Sequence, residues 1–497
     1  MRVQFPLRRR RRRLVFPTHG DLDKIPNREG RGFALYRAVR PTESNATPAG
    51  NRLVYRAAAI SALGGMLFGY DIGVISGAIL FIKTDFGLSP ILEEVVVSSV
   101  LLGSLVGAVA GGVLADRFGR RRMLIVTAVV FGLGAIAAAL APATAWLIVA
   151  RVTAGMAIGI ASFVAPLYIS EIAPADIRGT LVSINQVALT IGIVISYGID
   201  YAFAVSQAWR WMFALAVIPA GAFAIGLCFI PDSPRWLVAR GHVDRARVVL
   251  ARLRAPDAVD SELTEIRRSC AQQQGHWSEL FSPSLRPAML VGVGLAIAQQ
   301  VTGINTVIYY APTIFTFAGL SSASAAILAS VGVGVVNVGL TVVAMQMIDR
   351  IGRRPLLLVS LAGMALSLFV LGFAFWFPRL SGSLGWIAVV TVMVYVSSFA
   401  VGLGPVFWLI LSEIYPLAIR GRAMSVGTAA NWGANLIVAV SFLTMMHVLG
   451  ESATFWSYGV VSIAAWLFAF FMVPETKGRS LEEIEAHWRA GKHPRQL

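Results

Sequence analysis

Gly111-Gly112-Val113-Leu114-Ala115-Asp116-Arg117-Phe118-Gly119-Arg120-Arg121 is the stretch whose reading decides the fold, because its charged end returns as Asp349-Arg350-Ile351-Gly352-Arg353-Arg354. A second string, Ser170-Glu171-Ile172-Ala173-Pro174-Ala175-Asp176-Ile177-Arg178-Gly179, returns as Ser412-Glu413-Ile414-Tyr415-Pro416-Leu417-Ala418-Ile419-Arg420-Gly421. Pro231-Asp232-Ser233-Pro234-Arg235-Trp236-Leu237 has a looser echo in Pro474-Glu475-Thr476-Lys477-Gly478. The distances are 233 residues from Asp116 to Asp349, 242 from Glu171 to Glu413 and 243 from Pro231 to Pro474. Three repeats at nearly one spacing indicate a duplicated unit.

What is duplicated follows from composition. The 497 residues are 57% hydrophobic and 14% charged, with a mean hydropathy of +0.71. Apolar runs of about 20 residues recur throughout, the length that crosses a bilayer. Twelve are expected, near 53–82, 95–115, 122–141, 146–168, 180–203, 211–230, 286–317, 323–348, 355–377, 385–411, 423–448 and 454–473. The expected fold is an all-α membrane protein of two six-helix halves, 52–230 and 286–476. Between them runs a basic linker, 231–285, and a C-terminal tail covers 477–497. Odd-numbered connections carry few basic residues, chiefly Lys83, Arg210 and Arg379. The alternate connections hold Arg117, Arg120, Arg121, Arg122, Arg178, Arg350, Arg353, Arg354, Arg420 and Arg422. The positive-inside rule places this side, and both termini, in the cytoplasm. The net charge of +16 therefore needs no nucleic acid partner. The paired acids Asp116, Glu171, Asp349 and Glu413 suggest ion pairs that hold the inner side shut, where arginines alone would read as purely topogenic.

Residues 1–51, with the run Arg8–Arg13, read as a disordered tail that touches anionic headgroups. The alternative is a start codon placed too far upstream. Two cysteines, Cys228 and Cys270, and six scattered histidines give no disulfide framework, metal site or cofactor motif.

Two spans carry polar groups that hydrocarbon would penalise. In Gln299-Gln300-Val301-Thr302-Gly303-Ile304-Asn305-Thr306-Val307-Ile308-Tyr309-Tyr310-Ala311-Pro312, five side chains offer hydrogen bonds: Gln299, Gln300, Asn305, Tyr309 and Tyr310. Gly303 and Pro312 let the helix bend or break, as spans do where they line a cavity. An amide both donates and accepts, as does a sugar hydroxyl. Amides beside aromatic rings thus suit an uncharged polyol. Interhelical glue, at about 0.6–2 kcal/mol per bond, accounts for one or two such residues and not five. In the first span, Asp71 lies in Phe68-Gly69-Tyr70-Asp71-Ile72-Gly73, and Arg151 in the fourth is the expected counter-charge. An acid at that depth is a candidate proton carrier, with a static ion pair as the alternative.

The twin Asp-Arg-x-Gly-Arg-Arg turns resemble the signature of the major facilitator superfamily. The strings Pro231–Leu237, Pro474–Gly478 and Gln299-Gln300-x-x-Gly303-Ile304-Asn305 resemble its sugar porter family, in the expected order across residues 53–480. The resemblance implies a sugar site built from Gln186, Gln299, Gln300, Asn305, Asn337, Trp408, Asn431, Trp432 and Asn435. It makes Phe399 a wall of the cavity and puts Ile193 where the proton–xylose symporter has glutamine and glucose transporters have isoleucine. Tyr309 and Tyr310 would close the outer side, and short intracellular helices would fill the linker.

The expected function is uptake of a monosaccharide, with a proton as co-substrate, by a monomer in the cell membrane. Passive uniport is the nearest rival, but the passive mammalian members that resemble this chain lack an acid at Asp71. Drug export would need a greasier cavity. A sugar sensor would have a longer tail than the twenty or so residues after Gly478. A membrane enzyme is disfavoured, since no span pairs a nucleophile with a base.

Overall fold

The structure, a computed structural model, describes residues 48–174, 177–272, 277–377, 382–416, 419–479, 481–490, 492 and 494–496. The basic tail and Arg379 lie outside them, apart from the backbone of 48–51, which begins the first helix. Every regular element among the described residues is a helix. Twelve are long and apolar enough to cross a membrane. In order these spans are Arg52–Phe86, Pro90–Phe118, Arg120–Ala139, Thr144–Ile172, Arg178–Ala204, Trp209–Cys228, Arg286–Tyr309, Ala323–Ile351, Arg353–Trp376, Leu384–Glu413, Arg420–Leu449 and Glu451–Met472.

The second span begins earlier than its apolar run. Ser89 caps it by accepting from the Leu92 backbone N–H, and Pro90 supplies a first-turn residue that needs no partner. Helix therefore extends over Glu93 and Glu94, which both lie inside the span and are buried.

The duplicated turns have one conformation. Gly119 ends the second span and starts the third at φ 95°, ψ 152°. Gly352 does the same between the eighth and ninth at φ 108°, ψ 166°. Positive φ favours glycine at both. A Cβ would also be crowded: on Gly119 it would lie 3.2 Å from the Trp236 ring, and on Gly352, 2.6 Å from Glu475 Oε2, which would have to move. The Pro231–Leu237 and Pro474–Gly478 strings are therefore the partners of the two charged turns. Glu475 accepts from the backbone N–H of Arg353 at 3.1 Å and Arg354 at 3.0 Å, placing an anion on the first turn of the ninth span. The linker's helices Pro234–Ala239, Val243–Leu253 and Pro256–Gln272 reach the same face. There Trp236 Nε1 donates to Asp116 O and Arg254 donates to Ile172 O.

Among the first six spans, the first packs chiefly on the fifth and the second on the fourth; between the two sets, the fifth meets the eighth and the second meets the eleventh. In lipid such packing rests on close backbone approach rather than on the hydrophobic effect. A Cβ on Gly103 would lie 2.0 Å from Val152 O, and one on Gly155, 2.0 Å from Val100 O. The two helices cannot take side chains there. Gly155→Val should therefore cost about 1–3 kcal/mol and lower the unfolding temperature in detergent. Gly198→Ala, where nothing stands within 4 Å, should leave it unchanged. Equal unfolding temperatures for both variants would remove this account of the packing.

Candidate functional site

The seventh span breaks after Val301. Gly303 takes φ 91°, and helix resumes over Ile304–Tyr309 and again over Ala311–Phe317. The carbonyls freed by the breaks are answered by side chains from other spans. Tyr395 of the tenth donates to Thr302 O at 2.7 Å. Ser76 of the first and Tyr197 of the fifth both donate to Ile308 O, at 3.1 and 2.9 Å. The tenth span breaks at Gly402, where Leu403 N–H donates to Ser360 Oγ at 3.0 Å. Gln299 Nε2 reaches Leu403 O and Gly404 O, both at 3.3 Å. Each break is thus satisfied by the helix that faces it.

Around these breaks the amides interlock. Asn431 Nδ2 donates to Gln299 Oε1 at 2.8 Å and to Ala296 O at 2.9 Å. Gln300 Nε2 donates to Asn431 Oδ1 at 3.1 Å, and Asn305 Nδ2 to Gln300 Oε1 at 2.8 Å. Asn435 Nδ2 faces the Tyr309 hydroxyl at 3.4 Å. Trp432, buried with an unpartnered Nε1, sets its ring 5.2 Å from Phe68 of the first span. Trp408 is 36% exposed and tilts against Phe407 at 4.7 Å, while the Phe399 ring lies against Gly404.

The structure brings together Gln299, Gln300, Asn305, Tyr309, Asn431 and Asn435, and it holds other expected site residues apart. Tyr310 is fully buried and stacks on Phe442 at 5.1 Å, so it offers a ligand no surface here. Ile193 is buried against the first span, its backbone N–H side facing Gly69. Gln186 is half-buried on the fifth span and Asn337 buried on the eighth, neither joined to the amide cluster by a described hydrogen bond.

Asp71 and Arg151 meet across the first and fourth spans, Nη2 to Oδ2 at 3.4 Å, both buried. Arg151 is also held by Val96 O at 2.9 Å and Val97 O at 3.4 Å, and its guanidinium lies 5.8 Å over the Phe213 ring. The contact with Asp71 is long, and carbonyls of the second span share the cation.

The family profile described as "Sugar (and other) transporter" matches residues 57–488. The chain is 44% identical over 432 residues to the D-xylose transporter of Levilactobacillus brevis, covering 86% of this chain and 94% of that one. It is 42% identical over 441 residues to the galactose-proton symporter of Escherichia coli K12, covering 88% and 95%. Among solved structures it resembles the major facilitator superfamily proton:xylose symporter XylE bound to 6-bromo-6-deoxy-D-glucose. That match has a TM-score of 0.76 and 35% identity, covering 88% of this chain and 100% of that one. The chain belongs to the sugar transporter family of the major facilitator superfamily. It is a transporter, not an enzyme.

The charged turns do pair, and among the described ion pairs each cluster closes on its own set of six spans. Arg120 pairs with Asp116 at 2.9 Å and Glu171 at 3.1 Å. Arg353 pairs with Asp349 at 3.1 Å and Glu413 at 2.9 Å. Acid and base come from neighbouring helices of one repeat, which is why the two clusters match. Arg121 donates to Leu227 O and Cys228 O, Arg354 to Phe470 O, and Arg420 to Tyr415 O. Arg117 lies 5.3 Å over the Phe118 ring, the Arg350 carbonyl receives Lys477 Nζ, and Arg178 is exposed.

The described hydrogen bonds and ring contacts between the two sets of six spans lie at the middle of the spans or towards the face opposite the arginines. They are Phe68 with Trp432, Ser76 and Tyr197 with Ile308, and Glu94 with Thr444. Apart from Trp432, these residues carry no mark of such a role in the sequence. Glu93 and Glu94 carried the same signal as Asp71, but near a span end charges are cheap. Ser76, Tyr197 and Tyr395 carry no signal, since their role appears only once the seventh helix is seen to break.

Both carboxylates of the arginine clusters that lie on the fourth and tenth spans are shielded, so their coupling should be measurable. A cycle of Arg353→Ala and Glu413→Ala in thermal unfolding should give about 0.5–3 kcal/mol. Additive losses would mean that the pair contributes nothing beyond its separate residues.

Proposed function

We propose that this chain takes up a monosaccharide, a hexose such as glucose or galactose or a pentose, together with a proton. The observation that carries the reading is the buried Asp71–Arg151 pair beside an amide-lined site. It works as a monomer in the plasma membrane, with the arginine-rich face and both termini in the cytoplasm. The contacts between the two sets of spans then seal the outside, so this conformer faces inward. The printed names of the relatives, with xylose, galactose, glucose and arabinose among their substrates, support the class of cargo without choosing one.

In this reading Gln299, Gln300, Asn305 and Asn431 exchange bonds to one another, and Asn435 its contact with Tyr309, for bonds to sugar hydroxyls, and Gln186 and Asn337 add theirs from the fifth and eighth spans. Trp408 and Trp432 take the apolar ring face, with Phe399 as a wall, Ile193 stands behind the site against the first span, and Tyr309 and Tyr310 close the outer side. Partners already in place hold the amides' geometry until sugar replaces them. Protonation of Asp71 from outside removes one charge of the pair. Arg151 keeps two neutral acceptors, Val96 O and Val97 O, while its buried Nη1 has none. A neutral Asp71 therefore releases the first span from the fourth and leaves Arg151 with an uncompensated charge that favours pairing again. On the cytoplasmic side Asp71 releases its proton and pairs again. The arginine clusters would stiffen each half as it rocks.

Removing one polar contact costs about 1–3 kcal/mol, so Gln300→Ala should weaken sugar binding about five- to a hundredfold by calorimetry. Trp408→Ala should fall in the same range. If neither changes affinity, the seventh and tenth spans leave the site.

A proton brings about 2.3 kcal/mol per 100 mV and about 1.4 kcal/mol per pH unit, enough for a sugar gradient well above tenfold. Asp71→Asn mimics the protonated state. It should bind sugar and exchange labelled for unlabelled sugar across a vesicle wall. It should fail to concentrate sugar under an imposed pH gradient, and sugar should no longer alkalinise the external medium. Accumulation by Asp71→Asn would move the proton site elsewhere.

A further inference from the structure

At the arginine-rich face a cavity of about 770 Å³ opens between the start of the seventh span and the end of the twelfth. Leu280, Met289, Leu290 and Met472 give it apolar walls, and two cations, Arg286 and Lys492, line it as well. Arg286 is the first residue of the seventh span and Met472 the last of the twelfth, so both stand where a helix leaves the hydrocarbon. Lys492 lies in the C-terminal segment, which returns to the twelfth span. There Pro494 is buried in the wall of the same cavity, and the Arg495 guanidinium sits 4.7 Å over the Phe470 ring.

The two cations are not matched by the protein. Neither Arg286 nor Lys492 enters a described hydrogen bond or ion pair. Glu279, the acid of the turn Trp277–Phe281 beside the cavity, already has a partner. Two like charges around one cavity repel, and an anion between them removes that cost. The seventh span also begins without a side-chain cap, so its positive end adds to theirs.

The walls indicate what carries the anion. Phe281 is 74% exposed and Leu290 54% exposed, so the cavity is open on the side that lipid covers. A free anion would leave this apolar surface bare. A phospholipid covers it with an acyl chain and reaches the cations with its phosphate. Apolar walls alone select no lipid, since every tail is as apolar as they are. Selection falls to the cations, because basic pockets between spans at the headgroup level take anionic headgroups.

We propose that this cavity binds one anionic phospholipid, its phosphate between Arg286 and Lys492 and a chain along Met289, Leu290 and Met472. Bound there, the lipid ties the C-terminal segment to the start of the broken seventh span. The site stands apart from Asp71, Arg151 and the amides, so it holds whether or not uptake is proton-driven.

The test uses the full chain in nanodiscs of phosphatidylcholine. A trace of phosphatidylglycerol bearing a photoreactive diazirine in its acyl chain is crosslinked, and peptide mass spectrometry maps the labels. Labels on residues 280–290 and 470–472 are counted against those at Ile218 and Ile225, exposed residues of the sixth span. From the attraction of one basic side chain to an anionic headgroup, Arg286→Ala and Lys492→Ala should each lower this ratio about fivefold, and together about thirtyfold. Arg286→Lys keeps the charge and should keep most of the labelling. Arg245→Ala with Arg252→Ala removes two charges from exposed positions on the linker and should leave the ratio unchanged. Phosphatidylcholine carrying the same diazirine should show no enrichment. An unaltered ratio in the double variant, equal labelling by the phosphatidylcholine probe, or an equal loss in the Arg245 and Arg252 control would each overturn the proposal. Inorganic phosphate, added against chloride at matched ionic strength, should not displace the probe. Displacement would overturn the lipid and assign the cavity to free phosphate.

Discussion

Backbone groups that cannot reach water must find partners inside the protein, and this requirement governs the centre of the molecule. The seventh and tenth spans are both broken. A broken helix in hydrocarbon is tolerated only where other side chains replace the missing bonds. Here Gln299 covers Leu403 O and Gly404 O, Tyr395 covers Thr302 O, and Ser76 with Tyr197 covers Ile308 O. Because each break depends on its neighbour, the polar residues cannot be scattered through the bundle. They gather at one level, which is what makes a hydrophilic site inside an apolar fold.

The same requirement separates the two kinds of polar residue in the spans. Asn431, Gln299, Gln300 and Asn305 form a cluster in which each amide already has a partner, so a ligand that replaces those partners bond for bond costs little. Asp71 and Arg151 are charged, and their 3.4 Å contact is long for an ion pair. Two second-span carbonyls share the guanidinium through Nε and Nη2, and Nη1 has no partner. A pair shared in this way is easier to open than one in which each charge depends wholly on the other.

Much of this was legible in the sequence because it is local. The Asp-Arg-x-Gly turns repeat, and a glycine at positive φ between two helices needs only its neighbours to be recognised. Gly303 with five polar side chains in a dozen residues announces a break and a site. The direction of the arginine clusters was not legible. Charge repeats say that acids and bases meet, but whether they meet within one repeat or across two depends on the angle between the halves. The start of the second span was misjudged for another reason. Glu93 and Glu94 stand just before the apolar run, yet Ser89 and Pro90 set the helix start earlier and carry both acids inside. Tyr310 stands between two helical pieces, so its side chain leaves the face that Tyr309 shares with Asn435 and stacks on Phe442.

The first span touches both chemistries. Asp71 stands three residues from Phe68, nearly one helical turn, so the two share a face or adjoin one. Phe68 packs on Trp432 beside the amides, and Ser76, further along the same helix, holds Ile308 O in the broken seventh span. Against the fifth span the helix is fitted closely: a Cβ on Gly69 would lie 1.8 Å from Leu189 O, and one on Gly73, 1.8 Å from Ser196 Oγ. With backbones this close the first span cannot tilt away from the fifth without losing the whole seam, so the two must move as a unit. On the proposed reading, a proton at Asp71 acts on the contact between the first and fourth spans while the first stays locked to the fifth. Any displacement is then carried to Phe68 and Ser76, and through them to the walls of the sugar site. Coupling needs no separate messenger, since the helix that carries the acid also carries the contacts that hold the seventh span.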